Sequence, residues 1–150
     1  MLPVTNWPKT QRQESELAEL RRRALPHFII DCSESILDLI EPTDLLQAVY
    51  TAAETTGLFA DSGVGGIKVR LNPYRHFSNV DGYEHFVHVF GHVMEGRTQE
   101  QKRMLSDKVV RILTELLPDV KIISMNITDF DRATYSNAPM VQDGKSSNPH

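Results

Sequence analysis

The sequence predicts a two-layer α+β fold, in which tandem β-α-β repeats form a four-stranded sheet with two helices on one face. Patterns typical of a strand, a helix and a second strand occur twice between residues 26 and 131. The two repeats also begin alike, since His-Phe-Ile at 27–29 and His-Phe-Val at 85–87 both place a β-branched residue after His-Phe. A chain of 150 residues is long enough to bury one such core.

The first repeat contains clear signals for each of its elements. Residues 27–31 are mostly apolar, which is typical of a buried central strand. Pro42 precedes an apolar stripe at helical spacing and suits the first position of a helix. Residues 67–71 then alternate between apolar and polar, so we expect a strand with Lys68 and Arg70 on the same face.

The second repeat follows the same order. Residues 84–93 are rich in β-formers and predict its first strand. Thr98 and Gln101 have the spacing of a capping box, and the amphipathic helix that they begin should end before Pro118. Residues 120–128 alternate and predict the last strand.

The chain divides into three segments. Residues 1–25 form a polar extension with no apolar core of a signal peptide, residues 26–136 form the domain, and residues 137–150 have the composition of a mobile tail. One hypothesis is that the start of the chain is mis-assigned. In that case an initiating methionine stands at Leu25, and its removal exposes Pro26.

The composition indicates which partners the protein can have and in which cellular compartment it works. The net charge of −4 argues against nucleic acid, and no apolar run reaches the roughly 18 residues of a membrane helix. The single Cys32 suits the reducing cytoplasm. Because both predicted helices cover one face of the sheet, we expect the other face to be apolar and to be covered by oligomerisation.

A metal site is not expected. His88 and His92 share one face of a predicted strand, but no Cys or carboxylate stands near them at ligand spacing.

Two motifs resemble those of a known family. The segment Pro-His-Phe-Ile at 26–29, followed by Asp-Cys-Ser at 31–33, resembles the mature N-terminus of the 5-carboxymethyl-2-hydroxymuconate delta-isomerase family in the tautomerase superfamily. The segment Glu-Gly-Arg-Thr at 95–98 is similar to the strand-to-helix arginine motif of the related 4-oxalocrotonate tautomerase. The resemblance covers residues 26 to about 131.

The resemblance implies a trimeric isomerase that acts on a small anionic enol or keto carboxylate. Pro26 matches the amino-terminal proline that serves as base and acid, and Arg97 matches the arginine that binds a carboxylate or polarises a carbonyl oxygen. Lys68 occupies the place of a second arginine, with Arg70 two residues further on. A secondary amine beside cations can exchange protons near neutral pH without a metal or organic cofactor.

Two other functions stay open. The same proline and cations could activate water, as in a hydratase or dehalogenase. Alternatively, the protein is a non-catalytic trimeric binding protein, because an internal proline nitrogen is an amide with no useful basicity. In that case the extension blocks the proline.

Overall fold

The computed structural model describes residues 8–13, 26–60 and 66–146. Most of the extension 1–25 therefore lies outside the described residues, although residues 9–13 are helical. The main elements are β1 His27–Ser33, α1 Pro42–Glu54, β2 Lys68–Tyr74, β3 Val87–Met94, α2 Gln99–Leu116, β4 Ile123–Phe130 and α3 Ala138–Ser146. Short 3-10 turns occur at Glu34–Asp38 and Val80–Gly82.

The predicted architecture is confirmed. The four strands lie in the order β2-β1-β3-β4, with β1 parallel to β2, β3 parallel to β4, and β1 antiparallel to β3. Two β-α-β units thus join side by side through their first strands. In this arrangement the beginnings of β1 and β2 and the ends of β3 and β4 lie at the same end of the sheet. We call it the Pro26 end.

The core lies between the sheet and α1 and α2. Alternation along each strand sends one set of apolar side chains toward the helices. Gly91 on β3 shows how closely these groups pack, because an added Cβ there would lie 2.9 Å from Met125 Cε and 3.3 Å from the ring of Phe28. The main fully buried members are Phe28, Ile30, Leu45, Val49, Val87, Val89, Val93, Leu105, Val109 and Leu113.

Both predicted helix starts are confirmed. Pro42 stands at the first position of α1, where its missing N–H costs nothing. At α2 the Thr98 hydroxyl accepts a hydrogen bond from the Gln101 N–H at 3.1 Å, and the Thr98 N–H donates to Gln101 Oε1 at 2.9 Å. This capping box satisfies two N–H groups that the helix itself cannot pair.

The strands differ from their predicted bounds. β2 continues through Pro73 to Tyr74, and it can do so because an edge strand tolerates the missing N–H of proline. β3 begins at Val87 rather than at residue 84. Just before it, the Phe86 N–H donates to the Ser33 hydroxyl at 3.2 Å, so a side chain takes the place of a strand partner.

The C-terminal segment contains a helix where the composition predicts a mobile tail. α3 begins after Asn137, whose side-chain oxygen accepts a hydrogen bond from the Met140 N–H at 3.0 Å. Met140 is only 7% exposed. A local cap and one buried side chain therefore support a helix that lacks a strong apolar stripe. In the described part of the chain, no helix is both long enough and apolar enough to span a membrane.

The face of the sheet opposite α1 and α2 is polar, and the prediction of an apolar face was wrong; we call it the uncovered face because neither of these two helices packs on it. Strand alternation places Ile29, Tyr74, Phe90 and Phe130 on this face among many polar side chains. Several of them bond between strands: His88 contacts Ser124 and Asn126, each at 2.6 Å. The polar members are His27, Asp31, Lys68, Arg70, Asn72, His88, His92, Ser124, Asn126 and Thr128.

Candidate active site

Pro26 lies immediately before β1, at the Pro26 end of the sheet. Its side chain is less than 2% exposed. Its carbonyl oxygen accepts a hydrogen bond from the Lys68 N–H at 3.0 Å, which ties the beginnings of β1 and β2 together. In the chain as written, the Pro26 nitrogen is part of the peptide bond with Leu25. That nitrogen can accept a proton only in a chain that begins at Pro26.

Arg97 lies at the same end of the sheet, where the chain leaves β3 for α2. Its guanidinium donates to the Leu58 carbonyl oxygen at 2.9 Å and to the Met94 carbonyl oxygen at 3.2 Å. It also lies over the ring of Phe59, 4.7 Å from the centroid, as in a cation–π contact. Arg97 thus joins the end of β3 to the turn after α1.

Arg97 is partly buried, and its surroundings include the ring of Phe59. Burial lowers the pKa of Arg97, and the negative charge of Asp129 opposes this effect. Phe59 packs edge-on against Phe28 of β1, with ring centroids 5.9 Å apart. An arginine carries five N–H groups, so Arg97 retains donors for a ligand after bonding both carbonyls. The structure therefore gives Arg97 a structural role that the sequence did not indicate.

Lys68 and Arg70 lie on the uncovered face of β2, as the alternation predicts, and both are exposed. Arg70 Nη1 lies 3.3 Å from Nδ1 of His27 on the neighbouring strand. His27 was not among the predicted site residues. Its position next to Pro26 was visible in the sequence, but only the strand register shows that it meets Arg70.

His27 lies in a cationic environment. Burial lowers its pKa, and the charges of Arg70, Lys68 and His92 lower it further. His92 is the residue directly opposite His27 on β3, and its Nδ1 lies 2.8 Å from the Thr128 hydroxyl. The neutral imidazole is therefore the favoured form of His27.

A groove of about 580 Å³ gives solvent access to two of the predicted cations. It lies between α1 and the free edge of β2, and its lining includes Tyr50, Gln47, Lys68 and Arg70. The groove is shallow and open to solvent. Neither Pro26 nor Arg97 belongs to its lining. The structure thus brings Lys68 and Arg70 into one groove and leaves Arg97 apart from it.

Two other cations at the Pro26 end are already bound to carbonyl or carboxylate oxygens. Lys102 Nζ lies 3.0 Å from a carboxylate oxygen of Asp129. Arg132 donates to the Glu95 carbonyl oxygen from its side chain and to the Glu95 carboxylate from its N–H, each at 3.3 Å. Of these contacts, only the one between Lys102 and Asp129 is an ion pair. Lys68, Arg70 and Arg97 add positive charge near this end of the sheet, which favours anions.

The described residues contain neither a reactive cysteine nor a cluster of side chains that could bind a metal ion. Cys32 is fully buried on the helix side of β1, and burial raises the pKa of its thiol to about 11. A thiol with so high a pKa is a poor nucleophile. Within residues 8–13, 26–60 and 66–146, no group of three His, Cys, Asp or Glu side chains could hold a metal ion.

Several solved structures have the same fold. A 5-carboxymethyl-2-hydroxymuconate isomerase from Deinococcus radiodurans R1 superposes with a TM-score of 0.65 at 21% identity, covering 77% of this chain and 90% of that chain. A 5-carboxymethyl-2-hydroxymuconate delta-isomerase gives 0.62 at 16% identity, covering 79% and 90%. A fused 4-OT that is a symmetric trimer gives 0.60 at 15% identity, covering 75% and 94%. No curated protein sequence is significantly similar to the chain.

The chain therefore has the fold of these isomerases and of the fused 4-OT. The family model for 5-carboxymethyl-2-hydroxymuconate isomerase matches residues 26–142, which is most of the chain. The chain belongs to the 5-carboxymethyl-2-hydroxymuconate isomerase family.

Proposed function

We propose that this protein is an isomerase that moves a proton and a double bond within an enol carboxylate similar to 2-hydroxymuconate. Pro26, as the first residue of the working chain, is the base and then the acid. The observation that carries this proposal is that Pro26 lies at the same end of the sheet as three cations. Lys68 and Arg70 are in the first half of β2, and Arg97 follows the end of β3. The family match, which begins at residue 26, supports the same starting point.

The proposed reaction needs one group that both accepts and donates a proton. The free amine of Pro26 takes the proton from the enol hydroxyl, and the electron pair left on oxygen forms the carbonyl. The double bonds shift, and the protonated amine returns the proton to a carbon of the same molecule. No atom enters or leaves, so the reaction is an isomerisation. Burial and nearby positive charge both favour the neutral form of an amine, which suits it to act as a base at neutral pH.

The cations have separate tasks in this proposal. The remaining N–H groups of Arg97 bind the oxygen that becomes negative while the proton is on Pro26. Lys68 and Arg70, in the groove beside β2, bind a carboxylate of the substrate. Asp129 is paired with Lys102, and its charge also acts on Arg97. The bonds of Arg97 to the Leu58 and Met94 carbonyl oxygens, outside the groove, support this division of tasks.

We also propose that the protein works in the cytoplasm as a homotrimer. The related fused 4-OT is a symmetric trimer. The uncovered sheet face offers the area for such an assembly, although its side chains are polar. Hydrogen bonds between subunits would then contribute more than apolar burial does.

The turnover of 2-hydroxymuconate tests the reaction. A preparation whose first residue is Pro26 should convert the enol to its keto isomer, followed by ultraviolet absorbance. Pro26→Ala should lose this activity by at least about 100-fold, as expected for a general acid–base group. Arg103→Ala, an exposed residue of α2, serves as the control and should retain it. Unchanged turnover by the Pro26 variant would reject the mechanism. Oxygen-18 water distinguishes the reaction classes, since a hydratase adds the labelled oxygen to its product as a hydroxyl group and increases the product's mass by one molecule of water.

A non-catalytic binding protein is the second candidate. The observation that favours it is the state of Pro26 in the full chain, where the side chain is buried and the nitrogen is an amide. Full-length protein that retains residues 1–25 in its native host, binds enol carboxylates and does not convert them would support this function.

A further inference from the structure

His27 lies between the proposed catalytic residue and one of the proposed binding cations. It follows Pro26 directly, and its side chain points to the uncovered face of the sheet. Its Nδ1 is 3.3 Å from Nη1 of Arg70. Directly opposite it stand Lys68 on β2 and His92 on β3.

Because of this contact, the guanidinium of Arg70 lies closer to the Pro26 end than the Cα of Arg70 does. The Cα of Arg70 is registered with Ile29, three residues beyond Pro26, or roughly 10 Å along a strand. The guanidinium, however, contacts His27, only one residue beyond Pro26. The side chain of Arg70 therefore runs back along the sheet by about two residues, or roughly 7 Å. Without a partner at His27, this long side chain would be free to follow other directions into solvent.

The contact also defines the protonation state of His27. A guanidinium only donates hydrogen bonds, so Nδ1 of His27 must be the acceptor and the ring proton must be on Nε2. Protonated His27 would carry a hydrogen on Nδ1 and would add a positive charge beside Lys68 and Arg70. The position of Arg70 thus depends on a neutral imidazole.

We propose that His27 is a positioning residue, which holds Arg70 toward the Pro26 end so that Arg70 and Lys68 together bind the second carboxylate of a dicarboxylate substrate. This inference rests on the proposed function and adds a requirement for two carboxylates. A substrate with one carboxylate has no group for this pair. His27 itself need not touch the substrate, since its effect is on the direction of Arg70.

Two unreactive probes that differ in one carboxylate test the inference. trans,trans-Muconate is a dicarboxylate that lacks the enol hydroxyl, and sorbate is the same diene with a methyl group in place of the second carboxylate. Affinities of the full-length chain for both are measured by calorimetry at pH 7.5. The variants are His27→Ala, His27→Asn and Arg70→Gln, with His76→Asn as the control because His76 is exposed outside the strands.

His27→Ala should weaken muconate binding roughly tenfold, about the worth of one hydrogen bond to a charged group. It should leave sorbate binding unchanged. His27→Asn keeps a side-chain acceptor that Arg70 can use, so it should restore most of the muconate affinity. Adding Arg70→Gln to His27→Ala should cause little further loss, since both changes remove the same interaction.

A second readout does not depend on binding. Nitrogen-15 spectra of the wild-type chain at pH 7.5 should show His27 with its proton on Nε2, and Arg70→Gln should allow the other tautomer to appear. The inference is overturned if His27 is protonated on Nδ1, if the wild-type chain does not prefer muconate to sorbate, or if His27→Ala weakens both probes alike. If the full-length chain shows the expected binding pattern but the same chain beginning at Pro26 never converts 2-hydroxymuconate, the proposed isomerase function is refuted and the dicarboxylate site stays in place.

Discussion

Replacing Arg97 with alanine should destabilise the fold as well as impair the site. The guanidinium makes two hydrogen bonds to carbonyl oxygens, of Leu58 and Met94, and lies over Phe59. Hydrogen bonds from a charged donor contribute about 1.5–3 kcal/mol each, and a cation–π contact about 0.5–1 kcal/mol. Because Arg97 is only partly buried, water replaces part of what is lost on truncation. We therefore expect the free energy of unfolding to fall by about 2–4 kcal/mol.

Urea unfolding followed by circular dichroism measures this loss. The wild type and Arg97→Ala are compared at equal protomer concentration, since the stability of an oligomer depends on concentration. Arg103→Ala is the matched control, because Arg103 is an exposed arginine of α2 and should change the stability by less than about 0.5 kcal/mol.

The outcome separates two roles of Arg97. A variant that loses activity but unfolds within about 0.5 kcal/mol of wild type would show that the carbonyl contacts do not stabilise the fold, and would refute the structural reasoning. A loss of the expected size, with a parallel shift of the urea midpoint and an unchanged slope, would support it.

Three further changes test other parts of the structure. Thr98→Ala removes the cap of α2 and should cost about 1 kcal/mol in urea unfolding; no loss would contradict the capping box. Gly91→Ala places a Cβ 2.9 Å from Met125 Cε, and overpacking of this kind should cost about 1–3 kcal/mol, so a neutral effect would show that this core yields easily. Because the pKa of His27 is lowered by folding, the unfolded chain binds more protons just below pH 6.5, and stability should fall as the pH drops through that value until the folded pKa is reached. His27→Asn should remove this dependence, and an equally steep profile in that variant would exclude His27 as its source.

The order of the elements could be predicted because each has a local signal. Pro42 and the pair Thr98 and Gln101 mark helix starts by chemistry within one turn, and the structure confirms both. Alternation correctly placed Lys68 and Arg70 on one face of β2. The same alternation makes the uncovered face polar, so the sequence pattern of these strands is a better guide to this face than the general expectation for a sheet with helices on one side.

The contacts within the site could not be predicted from the sequence. The meeting of Arg70 with His27 depends on the register between β1 and β2, which no local pattern gives. The commitment of Arg97 to the Leu58 carbonyl joins residues far apart in the chain and depends on how the turn after α1 packs. The motif around Arg97 predicts a substrate-binding arginine, and the contacts of its guanidinium with two carbonyl oxygens and Phe59 are seen only in the structure.

If the Pro26 nitrogen carries the proton, a chain that begins at Pro26 and the full chain should differ in activity. The rate of 2-hydroxymuconate ketonisation is measured for the full chain, with residues 1–25 verified by intact mass, and for the same chain beginning at Pro26. We expect rapid turnover by the chain that begins at Pro26 and only the uncatalysed rate with the full chain, because the Leu25–Pro26 peptide bond removes the basic lone pair. Equal turnover by the two forms would show that the Pro26 nitrogen is not the base.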